Sequence, residues 1–447
     1  MPPRGISANF YRGGTSRGLL FRAETLAAYP PAVRDRIILT ALGSPDPAGR
    51  QISGLGGGVS SLSKAAIIGV PSEGKEAQEA FGALPGVRWA DEGRRDGLGE
   101  WDVVYRFAQV GVKEPVLDWS ASCGNMFAAV ALAAVSNPII PYTTLFSRSR
   151  TLPRPNFGSP LLFPLSILSA SNGVLMRARV PIDPYSLQPW EPGPGEGVEI
   201  AGVPGADEPG IEVEMPLETG GGNAQGGLVT GMPKDVVKLD NGTEITLSIL
   251  TAGLPNIFVP LSSLLSLPAH SFPPSLITLP AATLTNHNVL PSLLEEIRTT
   301  AARQFDIPLS LASPKVVLVN NVPSGGYAST AGTRVEKKDA DLLVRAVSSG
   351  DFHATIPGTT LAAVNLGAGT PGTVIHDLTS GPSSTSTGGA QDEVVTVRAG
   401  HAAGVANSSV RFVGGKAQSV VMVRTAREIM KGEVMVPERV FMEGQAA

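Results

Sequence analysis

Polar and apolar positions alternate through residues 6–22 on either side of the turn Tyr11-Arg12-Gly13-Gly14-Thr15-Ser16-Arg17-Gly18, which predicts a strand, a polar turn and a second strand. Short apolar runs with strand character recur at 103–110, 116–119, 211–215, 245–250, 257–259, 316–319, 394–397 and 420–423. Helical patterning is sparser. From Pro291 onward Leu293, Leu294, Ile297 and Ala301 fall on one face, and proline suits a first turn, so a core-packing helix is expected there.

Two more helices are predicted by a near-repeat. Residues 123–134 read Cys-Gly-Asn-Met-Phe-Ala-Ala-Val-Ala-Leu-Ala-Ala and residues 357–368 read Pro-Gly-Thr-Thr-Leu-Ala-Ala-Val-Asn-Leu-Gly-Ala, with six of twelve positions identical at an offset of 234. That offset is about half the chain, which points to two copies of one structural unit. In each copy a glycine turn opens an Ala-rich helix, whose first N–H groups and positive dipole end are free to bind an anion. Two such ends facing one cleft would grip a substrate with several carboxylates.

Two stretches break the pattern. Trp119 to Pro181 holds no acidic residue, and 137–165 holds six prolines. That segment fits neither period and reads as an insertion at about 135–172. Val135-Ser136-Asn137 can be encoded by a sequence resembling a splice donor, so a retained intron is one reading and a divergent surface loop the other. Residues 261–285 are similarly uncharged and rich in Pro, Ser and Leu.

A chain of 447 residues exceeds one core. The expected division is an N-terminal domain over 1–207, a C-terminal domain over 208–420, and a segment 421–447 returning to the first. With 52 glycines, 38 prolines and 5% aromatics, turn-rich sheets are favoured over helical bundles. The net charge of −4 argues against nucleic acid. A single cysteine excludes an internal disulfide and fits a reducing compartment. No secretory signal is apparent and no apolar run approaches the ~20 residues of a membrane helix, so no membrane partner and a cytoplasmic location are expected.

The candidate chemistry is concentrated at few positions. Cys123 sits where a strand passes into a helix through Gly124 and Asn125, and the helix dipole favours a thiolate there. Gly54 to Lys64 is glycine-rich but ends Ser63-Lys64-Ala65, so it lacks the Gly-Lys-Ser/Thr of a nucleotide loop. What remains is an anion nest with the hydroxyls of Ser60, Ser61 and Ser63 and the amine of Lys64, which can pair with a carboxylate or, desolvated, act as a base. Gly367 to Gly372 matches a dinucleotide fingerprint but follows a helix, and is discarded. His270, His287, His353, His376 and His401 are scattered without metal-ligand spacing, so no metal is expected. His353, four residues before the second turn, is a candidate to line the cleft.

Taken together, Tyr11–Gly18, Gly56–Ile67, Tyr105–Val110, Asp118–Val130, Ile200–Gly205, Ala252–Val259, Val344–Thr359 and Val423–Pro437 resemble the PrpF-type isomerases, which include aconitate and methylitaconate Δ-isomerases and oxalomesaconate tautomerase. The resemblance implies an α+β fold of two diaminopimelate-epimerase-like domains, each a curved, mostly antiparallel sheet around a central helix. It implies Lys64 and Cys123 as the catalytic pair. Ser16, Arg17, Ser60, Ser61, Gly124, Asn125, Gly358 and Thr359 are implied to hold carboxylates, and Ser63, Met126 and His353 are candidate substrate-binding residues beside them. No cofactor is implied, the partner is a di- or tricarboxylate, and a homodimer is left open. The expected reaction is an allylic proton shift on aconitate or methylaconitate, with methylitaconate isomerisation or oxalomesaconate tautomerisation as alternatives. An amino-acid epimerase would need a second cysteine where Pro357 stands, and an inert carboxylate-binding protein is the reading from another class. The family commonly has Asn before its Cys-Gly-Asn, where this chain has Ser122, and the insertion threatens to shorten the helix after Cys123.

Overall fold

A computed structural model describes residues 2–71, 78–81, 87–88, 94–95, 99–120, 123–137, 139–171, 173–203, 207–217, 227–267, 270–379, 383–385, 392–414 and 416–442; Ser122 lies outside them. The chain divides into two compact units, Met1–Val213 with Val423–Ala447, and Glu214–Met422.

In the first unit the predicted hairpin joins strands Arg4–Gly13 and Ser16–Arg22, paired from Asn9–Leu20 to Gly13–Ser16. Ser16–Arg22 runs parallel to Lys64–Gly69, which pairs antiparallel with Val103–Val110. Val103–Val110 runs parallel to Leu161–Ser169, and that strand turns back into Leu175–Ile182. On the other side, Ala426–Val436 lies antiparallel to Arg4–Gly13. The helix Gly124–Ser136 touches Leu175–Ile182 at one end of this order and Ala426–Val436 at the other, so the sheet curves around it. A helix buried on every side must be apolar all round. Its run of alanines supplies this with the best helix propensity and lets the strands approach closely.

The period of two gives each strand two faces. Phe10, Leu19, Phe21, Ala65, Ile67, Ala108 and Val110 face outward into a core with Ile37, Ile38 and Leu42 of the helix Pro31–Leu42. The alternate positions face Gly124–Ser136. Tyr105 packs on Phe127 with ring centroids 6.0 Å apart, and the Tyr11 hydroxyl lies 3.0 Å from the Ser136 hydroxyl.

The stretch 137–165 corrects the sequence reading. Helix Gly124–Ser136 runs for 13 residues and is not cut short. Asn137 ends it and donates to the Tyr11 hydroxyl at 2.7 Å. A second helix, Tyr142–Ser149, follows. Strand Leu161–Ser169 then alternates as a half-buried strand should, with Leu161, Phe163, Leu165 and Ile167 buried. Pro164 disguised that pattern. It is tolerated because the side of this strand facing Val103–Val110 is paired only over Ile167–Ser169, so the missing N–H falls where no ladder runs.

The second unit repeats the order. Hairpin Glu244–Thr251 and Pro255–Pro260 leads to a parallel neighbour, Lys315–Asn320, then antiparallel Leu342–Ser348, then parallel Asp392–His401 with its hairpin partner Gly404–Val413. Helix Gly358–Ala368 is buried along its whole length. Helix Leu290–Gln304 contributes Leu293, Leu294, Ile297 and Ala301 to the outer core, as its periodicity predicts. The uncharged stretch 261–285 also belongs to that core, through Leu261, Leu264, Leu276, Ile277 and Leu284.

Candidate active site

Cys123 occupies the position before helix Gly124–Ser136 in extended conformation (φ −141°, ψ 104°), and its carbonyl accepts from the Phe127 N–H at 2.9 Å. No side chain caps this helix start. The Gly124, Asn125 and Met126 N–H groups therefore form an anion-binding end beside a half-buried thiol. The glycine turn presses directly on it. A Cβ on Gly13 would come within 2.2 Å of the Asn125 carbonyl oxygen, and one on Gly14, at φ +51°, within 2.4 Å of the Asn125 side-chain oxygen. Only glycine allows that approach. Asn125 ties the pieces together by donating to the Thr15 hydroxyl (3.1 Å) and the Ser16 hydroxyl (3.4 Å).

Lys64 opens its strand opposite Gly18, on the face turned toward the buried helix. Its Nζ donates to Gln109 Oε1 at 2.5 Å and lies 5.4 Å from the centre of the Phe107 ring. Burial pushes the Lys64 pKa down from the usual lysine value, and the charge of a Cys123 thiolate opposes that fall. The Lys64 amine thus lies within electrostatic reach of the Cys123 sulfur, inside one unit. No carboxylate pairs with Lys64 among the described residues. A desolvated lysine of this kind changes protonation state more readily than a solvated one.

Other predicted residues are placed differently. Arg17 shares the parity of Leu19 and Phe21 and points away from the elbow; its guanidinium lies 5.7 Å from the Phe10 ring and packs on Gly57. Ser63 is turned away from Lys64 and donates its hydroxyl to Gln51 Oε1 at 2.5 Å. Ser60 is buried and Ser61 half-buried in a single turn of tight helix before Lys64. In the second unit Gly358 and Thr359 open the helix after Pro357, again with no side-chain cap. His353 is buried, with its Nδ1 accepting from the Thr355 N–H at 3.2 Å. Among the described residues no cluster of three or more His, Cys, Asp or Glu could hold a metal. No helix there is long and apolar enough to cross a membrane.

Three residues were missed in the sequence. Gln109 donates to the Ser60 carbonyl (3.0 Å) and the Ser63 carbonyl (3.1 Å), which fixes the oxygen it offers Lys64. Gln51, at φ +51°, braces the glycine loop by accepting from the Gly58 N–H at 2.9 Å. Arg424 donates its Nε to Asn125 Oδ1 at 3.1 Å. Gln109 and Arg424 belong to no local motif, since the partners named here lie 45 or more residues away, whereas Gln51 acts within its own loop.

A family model described as PrpF protein matches residues 4–82 and 95–437, a range that includes the stretch set apart as an insertion. The chain belongs to the PrpF family. A PrpF relative named 2-methyl-aconitate isomerase, from Shewanella oneidensis, is 30% identical over 451 residues, covering 97% of each chain. A 3-methylitaconate isomerase from Eubacterium barkeri is 28% identical over 435 residues, covering 95% of each. The crystal structure of methylitaconate-delta-isomerase is similar at a TM-score of 0.63 and 25% identity, covering 100% of this chain and 99% of that one. The chain thus shares the α+β fold of that isomerase.

Proposed function

We infer that the chain is an isomerase of unsaturated carboxylates, in keeping with the PrpF relatives it matches over nearly their full length. The reading favoured here is an allylic proton shift on a tricarboxylate, aconitate or methylaconitate. One observation carries it: a buried amine within electrostatic reach of a half-buried thiol that stands at an uncapped helix start.

Breaking a C–H bond next to a carboxylate leaves an electron pair that must spread through the double bond onto carboxylate oxygen. One member of the pair Lys64 and Cys123 takes the proton, and the other returns one to the far end of the allylic system. The N–H groups of Gly124, Asn125 and Met126 stand where a carboxylate gaining charge would be held. Donors of this kind are worth on the order of 10²- to 10³-fold in rate each. Ser16 and Asn125 fit a seat for the substrate, as do Ser60 and Ser61. Gly358 and Thr359 remain proposed contributors on the strength of the family resemblance, and His353 on its position four residues before Pro357. A cytoplasmic setting suits the single free thiol.

The test is incubation of the protein with cis-aconitate, trans-aconitate, 2-methylaconitate and methylitaconate in D₂O, followed by NMR. Deuterium entering one of these acids as its double bond moves is the expected result. A protein that binds them but exchanges nothing is a carboxylate binder, and the isomerase reading is then wrong.

A further inference from the structure

Arg424 is the second buried cation at the elbow, at the point where the chain re-enters the first unit. Its Nε donates to Asn125 Oδ1 at 3.1 Å and its Nη1 to the Val423 carbonyl at 2.9 Å. The Nη2 amino group has no protein acceptor among the described residues, and no carboxylate pairs with this guanidinium there. Three other arginines of the unit are answered by acids, Arg12 by Glu208, Arg4 by Glu438 and Arg148 by Asp102, whereas buried Arg34 spends its Nε on the Leu26 and Tyr29 carbonyls. An arginine taken out of water without an anion is costly, and is ordinarily matched by one.

The surroundings are built to keep it there. The Gly14 N–H donates to the Thr425 carbonyl at 2.7 Å, and Arg12 donates to both the Gly14 carbonyl and the Thr425 hydroxyl at 2.9 Å. The turn that presses on the helix start therefore also clamps the residue after Arg424. Burial pulls the Arg424 pKa down to about 10, and a thiolate at Cys123 pushes it back up. The group remains charged at neutral pH and feels the reacting thiol. Arg17, the arginine that family resemblance offered for this task, lies on the opposite face of its strand.

We propose that Arg424 binds a carboxylate of the substrate at the mouth of the Cys123 elbow, with Asn125 fixing the guanidinium and the Gly124–Met126 amides completing the seat. This rests on the isomerase reading above for the identity of the substrate. A planar guanidinium suits a carboxylate because it can offer two parallel N–H donors, which a lysine cannot. The cation awaits its anion in the free protein, so its removal harms ligand binding and not folding.

The test uses the full chain with Arg424→Gln and Arg424→Lys. Turnover is measured with the acid that wild type isomerises, and binding with tricarballylate, a saturated tricarboxylate that cannot react. Expected for Arg424→Gln is a loss in kcat/KM on the order of 10²-fold, mostly in KM. Tricarballylate affinity should fall roughly 10- to 100-fold. Tm of the free protein should stay at or above that of wild type, and ethylguanidinium should restore part of the activity. Arg424→Lys should fall between. A folded Arg424→Gln with KM and tricarballylate affinity within about twofold of wild type overturns the proposal. So does a lowered Tm in both variants with no guanidinium rescue, which marks a structural role. If wild type moves no double bond yet binds tricarballylate in an Arg424-dependent way, the isomerase reading fails and the carboxylate seat stands.

Discussion

At the scale of single residues the site turns on a lysine without an acid. Lys64 meets an amide oxygen from Gln109, which can accept a hydrogen bond from the amine in either protonation state and adds no charge to hold the proton. Burial then dominates and lowers the pKa. Gln109→Glu would place a carboxylate at that oxygen, stabilise the ammonium and raise the Lys64 pKa. The limb of the kcat/KM profile that titrates Lys64 should move to higher pH by at least one unit, by the usual effect of a close opposite charge, roughly 1 to 3 units. An unmoved profile would show that Lys64 does not titrate in turnover. Much of this pair was hidden in the sequence, because Gln109 lies 45 residues from Lys64 and Arg424 lies 299 from Asn125. The orientation of Arg17 and Ser63 was within reach. Once Ser16 and Lys64 are placed facing the helix, strand alternation turns their immediate neighbours away.

At the scale of elements, the glycine turn, the strands and both Ala-rich helices could be read from the sequence because each carries a local signal: alternation, turn residues or a buried apolar run. The stretch after Ser136 was misread because its prolines and missing acids outweighed a period of two that was present in Leu161, Phe163, Leu165 and Ile167. Those side chains are buried in the first unit, with Phe163 and Ile167 fully inaccessible. Phe163→Ala should therefore destabilise the protein by about 3–5 kcal/mol, seen as a lower urea midpoint. An insertion lying outside the fold would tolerate the change within about 0.5 kcal/mol.

At the scale of the molecule, each unit runs hairpin, parallel strand, antiparallel strand, parallel strand and hairpin around one buried helix. Even the lysines correspond: Lys64 opens its strand opposite Gly18, and Lys315 opens its strand opposite Asn256. The halves differ at the elbow, where one has Cys123 and the other Pro357. A two-thiol racemisation has no second sulfur to use. The proposed pairing of unlike groups, Lys64 with Cys123, suits moving a proton between two different carbons. Composition and the near-repeat made this duplication visible before any coordinates. They carried no information on which acid is bound, since amides and hydroxyls recognise any carboxylate.

The most direct measurement of the central claim is deuterium wash-in from D₂O to the isomerised acid, comparing wild type with Lys64→Ala and Cys123→Ser, with tricarballylate binding recorded for each. The account predicts that both variants bind the saturated acid but incorporate deuterium at least 10²-fold more slowly, as for loss of a positioned acid or base, typically about 10² to 10⁴. Full exchange in either variant would contradict it.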